Sequence, residues 1–188
     1  HGRASRLARC ADEMRLLGAI LAGGQSRRFG RDKAEALIEG KVLLDHVADA
    51  LRPQCAELVV AGRDWPGIAS AADRPETGLG PLCGLAGALA YAQSEGFDAI
   101  LSSGCDVLGL PADLAERLGQ APAILEGLPI VGLWPAHLAD TLIFWLGDPA
   151  NRSVYRFADH VGARRIALPG SITNVNHASD LVKPAKHP

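Results

Sequence analysis

A continuous apolar run from Leu16 to Ala22 ends abruptly in Gly23-Gly24. A run of that length with no polar face suits a strand buried on both sides, as in parallel sheets covered by helices, and the glycine pair opens a loop at its carboxyl end. The pattern recurs along the chain: Leu58 to Ala61 and Ala99 to Ser103 read as second and third strands. Helical spacing over Leu43 to Leu51 stops before Pro53, and Leu82 to Gln93 reads as a helix of small residues. Pro111 to Leu118 predicts a helix with proline in its first turn, and Ala123 to Leu125 and Ile130 to Trp134 predict strands. Leu138 to Leu146 and Ser153 to Val161 follow as helices, Arg165 to Leu168 as a late strand and Ser179 to Val182 as a terminal turn. This alternation predicts an α/β fold, a three-layer α/β/α sandwich around a mostly parallel sheet. Ligands of such sheets sit at the carboxyl ends of strands, here after Ala22, Ala61 and Ser103.

The 188 residues suit a single domain over 14–188. Met14 is the only methionine and reads as a native start, with the Arg-rich segment His1 to Glu13 a tag, an upstream remnant or a disordered native tail. A formal charge of −2 gives no global reason to bind nucleic acid or an anionic membrane. No apolar run reaches the ~18 to 20 residues of a membrane span. Cys10, Cys55, Cys83 and Cys105 are scattered without a CxxC pair, as expected of reduced thiols in a cytoplasmic protein. The histidines show no metal-ligand spacing, and no nucleophile-base constellation stands out.

Three segments carry chemistry. Leu21-Ala-Gly-Gly-Gln-Ser-Arg-Arg-Phe-Gly-Arg-Asp-Lys33 places a glycine-rich loop holding Arg27, Arg28, Arg31 and Lys33 directly after the first strand. Glycines let main-chain N–H groups approach phosphate oxygens, and cations offset the charge of a triphosphate. The loop fits neither Walker A nor GxGxxG, and its bland reading is a strand-to-helix turn with solvated arginines. Asp106, at the end of the third strand in a run otherwise free of charge, is placed either to hold Mg²⁺ or to cap the following loop. Asp73 to Gly84, with glycines at 78, 80 and 84, opens the small-residue helix, where a ligand or a neighbouring strand can approach the backbone closely. Asn174 and Asn176 add amides suited to an acceptor or phosphate, or to an Asx-type turn.

Together these segments resemble the molybdenum cofactor guanylyltransferase family, from about Leu17 to Leu181. LAGGQSRRFGRDK matches the family's LAGGxSxRMGxDK with Phe29 in place of methionine, a motif shared with related nucleotidyltransferases. Asp73, Gly80-Pro-Leu-x-Gly84, Gly132-Leu-Trp-Pro135, Arg152-Ser-Val and Asn174-Val-Asn176 followed by Asp180-Leu181 narrow the likeness. The resemblance implies a Rossmann-like fold of the nucleotide-diphospho-sugar transferase type and transfer of GMP from GTP to molybdopterin or Mo-molybdopterin. It implies that Leu21, Ala22, Gly23, Gly24 and Lys33 contact GTP, with Gly80 nearby, that Asp73 contacts the nucleoside, and that Asp106 holds Mg²⁺. Asn174 and Asn176 fall on the pterin or phosphate side, and Arg28 and Lys33 stabilise the transferring and leaving phosphates. Hand-over partners, a molybdenum-insertion protein and recipient molybdoenzymes, follow from the same resemblance.

The chain also departs from the pattern. Ala61 stands where the family commonly has asparagine, Asp106-Val-Leu replaces Asp-x-Pro, and His177-Ala replaces Thr-Pro. These departures keep two alternatives open: a molybdopterin cytidylyltransferase or other NTP transferase of the superfamily, and a non-catalytic nucleotide or cofactor carrier.

Overall fold

The computed structural model describes residues 14–23, 33–78, 80–170 and 172–175. Strand β1 (Leu16–Leu21) is followed by a hairpin of β2 (Leu37–Ile38) and β3 (Lys41–Val42), then helix α1 (Leu43–Leu51), β4 (Glu57–Ala61) and β5 (Ala69–Ala71). Helix α2 (Pro81–Ser94), β6 (Ala99–Gly104), β7 (Val107–Leu108), α3 (Leu114–Leu118), β8 (Ala123–Leu125) and β9 (Leu128–Pro135) come next. Helices α4 (Ala139–Trp145) and α5 (Val154–His160), β10 (Arg164–Ile166) and β11 (Thr173–Asn174) complete the order.

The main sheet has seven strands in the order β10-β8-β9-β6-β1-β4-β5. Only β9 runs against its neighbours, pairing antiparallel with both β6 and β8. Its reversal follows from the tight turn at Glu126-Gly127, where Gly127 takes φ +80°, a conformation open to glycine at little cost. Alternate residues of the central strands enter two cores. Leu17, Ala19, Leu21, Val59, Ala61 and Ile100 face α2, α4 and α5, while Leu16, Ile20, Leu58, Val60 and Leu101 face α1 and α3. Both faces are therefore dry, so the strands read as unbroken apolar runs, and the three-layer expectation holds.

The differences are at element ends and in short strands. Proline 111 lies outside α3, which begins at Leu114, because the first hydrogen bond there is a turn, Leu114 N–H to the Pro111 carbonyl at 3.2 Å. The late strand ends at Ile166 rather than Leu168. The sequence reading did not anticipate β5, the β2–β3 hairpin or the β7–β11 pair. The terminal turn expected at Ser179 to Val182 lies outside the described residues.

Candidate nucleotide site

The carboxyl ends of β1, β4 and β6 lie side by side, with Leu21 in register with both Ala61 and Gly104. The ladder runs one step further: Ala22 N–H donates to the Ala61 carbonyl at 2.9 Å, and Cys105 N–H to the Leu21 carbonyl at 3.1 Å. The Leu21 carbonyl and the Ala22 N–H are thus engaged within the sheet. The first residue beyond this ladder is Gly23, and two of the three places singled out from sequence, after Ala22 and after Ala61, converge on it.

At Gly62, φ is +89°, and a Cβ there would meet the Gly23 Cα at 2.4 Å and its N at 2.6 Å. The two loops touch main chain to main chain. The Asp73 carboxylate covers this contact: a Cβ on Gly23 would lie 3.0 Å from Oδ2, and one on Gly62 would lie 3.0 Å from Oδ1. From the other side a Cβ on Gly84 of α2 would reach Oδ1 at 3.6 Å. Asp73 is half-buried, and its buried Oδ1 has no hydrogen-bond partner among the described residues. Burial pushes its carboxyl above the usual carboxylate range, since the charged form loses hydration.

Helix α2 packs so tightly here that a Cβ on Gly87 would fall 2.1 Å from the Ala72 carbonyl oxygen. Its small residues therefore accommodate backbone along part of their length, the bland reading of that segment. Gly80 differs: it precedes the helix at φ +98° with nothing within 4 Å of a Cβ, open toward solvent at the rim. Arg74 N–H bonds to the Cys83 carbonyl at 3.0 Å, fixing the loop that carries Asp73 to the first turn of α2.

Asp106 sits in the turn after β6, its Oδ1 2.8 Å from where a Cβ on Gly104 would be. Any side chain at position 104 would displace that carboxylate from where it sits. The segment carrying Asn174 returns to the same turn: Asn174 is in register with Val107, and Val175 N–H donates to the Asp106 carbonyl at 2.8 Å. Asn174 is half-buried, and its Oδ1 is buried without a hydrogen-bond partner among the described residues. Asp106 offers a carboxylate in this turn, and one or two carboxylates suffice for Mg²⁺, which takes phosphate oxygens and water for the rest of its shell; no metal-binding group of three or more His, Cys, Asp or Glu gathers among the described residues.

Other sequence matches prove to be structural. Trp134 is fully buried and donates from Nε1 to Ser102 Oγ at 3.0 Å, while Ser102 Oγ donates to the Ile130 carbonyl at 2.7 Å. A Cβ on Gly132 would press on that indole at 2.8 Å. Arg152 closes the end of α4 by donating to the Leu146 carbonyl at 2.9 Å, and Ser153 caps α5. Cys55, Cys83 and Cys105 form no disulfide among the described residues, and burial pushes the Cys55 thiol pKa up to about 12.

Lys33 opens the short 3-10 turn Lys33–Glu35. Gly24, Arg28 and Asn176 lie outside the described residues. Sequence reasoning missed Gly62 and the half-buried Arg63, which directly follow the β4 strand-end of the site. Their signal was the glycine directly after the apolar run at Ala61.

A glycine floor at the carboxyl edge of an α/β sheet, with one carboxylate over it and another at the neighbouring strand, marks a nucleotidyltransferase. The MobA-like NTP transferase domain matches residues 18–166. A molybdenum cofactor guanylyltransferase from Cereibacter sphaeroides is 37% identical over 185 residues, covering 90% of this chain and 95% of the relative. One from Acidiphilium cryptum is 33% identical over 180 residues, covering 88% and 92%. Among solved structures, molybdopterin-guanine dinucleotide biosynthesis protein A from Archaeoglobus fulgidus superposes with a TM-score of 0.70 at 20% identity, over 88% of this chain and 94% of that one. The 2-C-methyl-D-erythritol 4-phosphate cytidylyltransferase of Thermus thermophilus gives 0.60 at 16%, over 87% and 94%, and shares the fold. The chain belongs to the molybdenum cofactor guanylyltransferase family.

Proposed function

We propose that this chain transfers GMP from GTP to molybdopterin, with or without molybdenum inserted, releasing pyrophosphate and forming the guanine dinucleotide cofactor. The observation that carries this reading is likeness to guanylyltransferases along nearly the whole chain, 37% over 90% of it. A terminal phosphate oxygen of the acceptor attacks the α-phosphorus in line, and the bond to the β-phosphate oxygen breaks as pyrophosphate leaves. That oxygen is already anionic near neutral pH, so the site must position reactants and offset charge rather than remove a proton.

In this reading Gly23, Gly24 and the loop beyond carry the triphosphate, with Leu21 and Ala22 setting the floor. Arg28 and Lys33 offset charge on the transferring and leaving phosphates. Asp73 meets the nucleoside, Gly80 leaves room at the rim, and Asn174 and Asn176 face the acceptor. Asp106 would hold Mg²⁺; bound there, the ion would neutralise phosphate charge. The reaction is placed in the cytoplasm, where thiols such as Cys55, Cys83 and Cys105 stay reduced; no described helix is long and apolar enough to cross a membrane. Product hand-over to molybdenum-insertion proteins and molybdoenzymes would be transient.

Pyrophosphate release from GTP, Mg²⁺ and molybdopterin tests the reading, together with calorimetric binding of GTP, CTP and ATP. GTP preference with release supports it. Preference for CTP, which Ala61 in place of asparagine motivates, moves the chain to cytidylyl transfer, and GTP binding without release makes it a carrier. Asp106→Ala should abolish magnesium-dependent turnover while GTP binding largely survives; unchanged turnover removes Asp106 from the mechanism.

A further inference from the structure

The two-stranded ladder of β7 and β11 lies where the metal-side and acceptor-side residues meet. Asn174 is in register with Val107 and Thr173 with Leu108, and the Val175 N–H bond to the Asp106 carbonyl, 2.8 Å, extends the pairing by one step. Val175 is itself 2% exposed, so this end of the strand is anchored by packing as well. The turn bearing Asp106 is held from both sides: Cys105 N–H is bound by the Leu21 carbonyl at 3.1 Å, and the Asp106 carbonyl by Val175. A short turn fixed by main-chain bonds at both ends holds the Asp106 Cα in place, and Gly104 leaves its carboxylate room above the strand end. Leu108, standing where Asp-x-Pro would place proline, keeps a main-chain N–H in register with Thr173.

We infer that this ladder is a positioning device for the Asp106 carboxylate, with the main-chain N–H of Val175 as the positioning group, and that it ties that carboxylate to the segment carrying Asn174. The inference rests on the reading of Asp106 as the Mg²⁺ ligand. Its effect is selective, because the Gly23–Gly62 floor belongs to other strands and stays in place when the ladder is loosened.

The test is calorimetry of GTP binding to the full chain with and without Mg²⁺, repeated on Val175→Pro, which removes the N–H, and Val175→Ala, which keeps it while trimming the packed side chain. The magnesium-dependent gain in affinity should fall about tenfold in the proline variant, the scale of one hydrogen bond. Magnesium-free affinity should be unchanged, and the alanine variant should keep the gain. A proline variant with the full gain overturns the ladder's role, as does equal loss in the alanine variant or a matching loss of magnesium-free binding. A second measurement needs no variant: the Val175 amide of the full chain should be protected from hydrogen exchange and slow further with Mg²⁺ and GTP, and fast exchange indifferent to Mg²⁺ overturns the proposal too. If the full chain itself shows no magnesium-dependent gain, the assignment of Asp106 fails, and the ladder's role falls with it.

Discussion

At Asp73 the folded chain keeps a carboxylate partly out of water, its buried oxygen without a hydrogen-bond partner among the described residues. Its folded-state carboxyl is raised above the unfolded value of about 3.9, so the folded state holds the proton more tightly and is relatively less stable once pH rises through the folded value. Asp73→Asn should therefore raise the melting temperature of the ligand-free protein at pH 7, a gain that vanishes as pH falls below 4. The same change should weaken GTP binding by roughly tenfold to a hundredfold, as loss of a hydrogen bond to a charged group does. Equal melting temperatures at pH 7 would show that the burial is harmless. Asp106 drew attention in the sequence because its run is otherwise free of charge, and Gly23 because it directly follows an apolar run, whereas Asp73 was reached only through the family resemblance and Gly62 was missed. Trp134 and Arg152 entered as family matches; packing shows that one fills the core and the other closes a helix.

Helix α2 shows how an element's composition reflects what lies against it. Its small residues admit the backbone at Ala72, and Gly87→Ala would drive a methyl into that carbonyl oxygen at 2.1 Å. We expect a loss of about 1–3 kcal/mol, measured by denaturant unfolding, as overpacking at a rigid contact produces. The long elements were legible because both faces of each central strand are buried, which makes the apolar signal continuous. Edge strand β5 was not: Ala69, Ser70 and Ala71 carry too little apolar surface to signal a strand, and Ala69 and Ser70 are exposed. The β2–β3 hairpin depends on Glu39 and Gly40 both adopting positive φ, and the β7–β11 pair joins segments far apart in sequence, beyond the reach of periodicity.

Across the whole molecule, the sheet order places β1, β4 and β6 together and lets the reversed β9 join the remaining strands to them. Ligand binding at that edge should be visible in global stability. At a GTP concentration about 100 times its dissociation constant, mass action adds ~2.7 kcal/mol to the folded state. For a chain of this length that corresponds to a melting shift of roughly 5 to 11 °C, which thermal denaturation with Mg²⁺ and GTP can read. A shift no larger than that given by CTP at the same concentration would count against guanine preference. The contact of Gly62 with Gly23 bears on how such a preference could be altered. A Cβ at Gly62 would lie 2.4 Å from the Gly23 Cα, so the floor admits no side chain there. A mutant library that randomises positions 23 and 62 should return mostly misfolded or inactive clones, whereas one directed at Arg63, Asp73 and Gly80 should return folded clones whose nucleotide preference can be scored. Laboratory evolution of a new nucleotide specificity would thus move around the edge of the cleft while its base stayed unchanged.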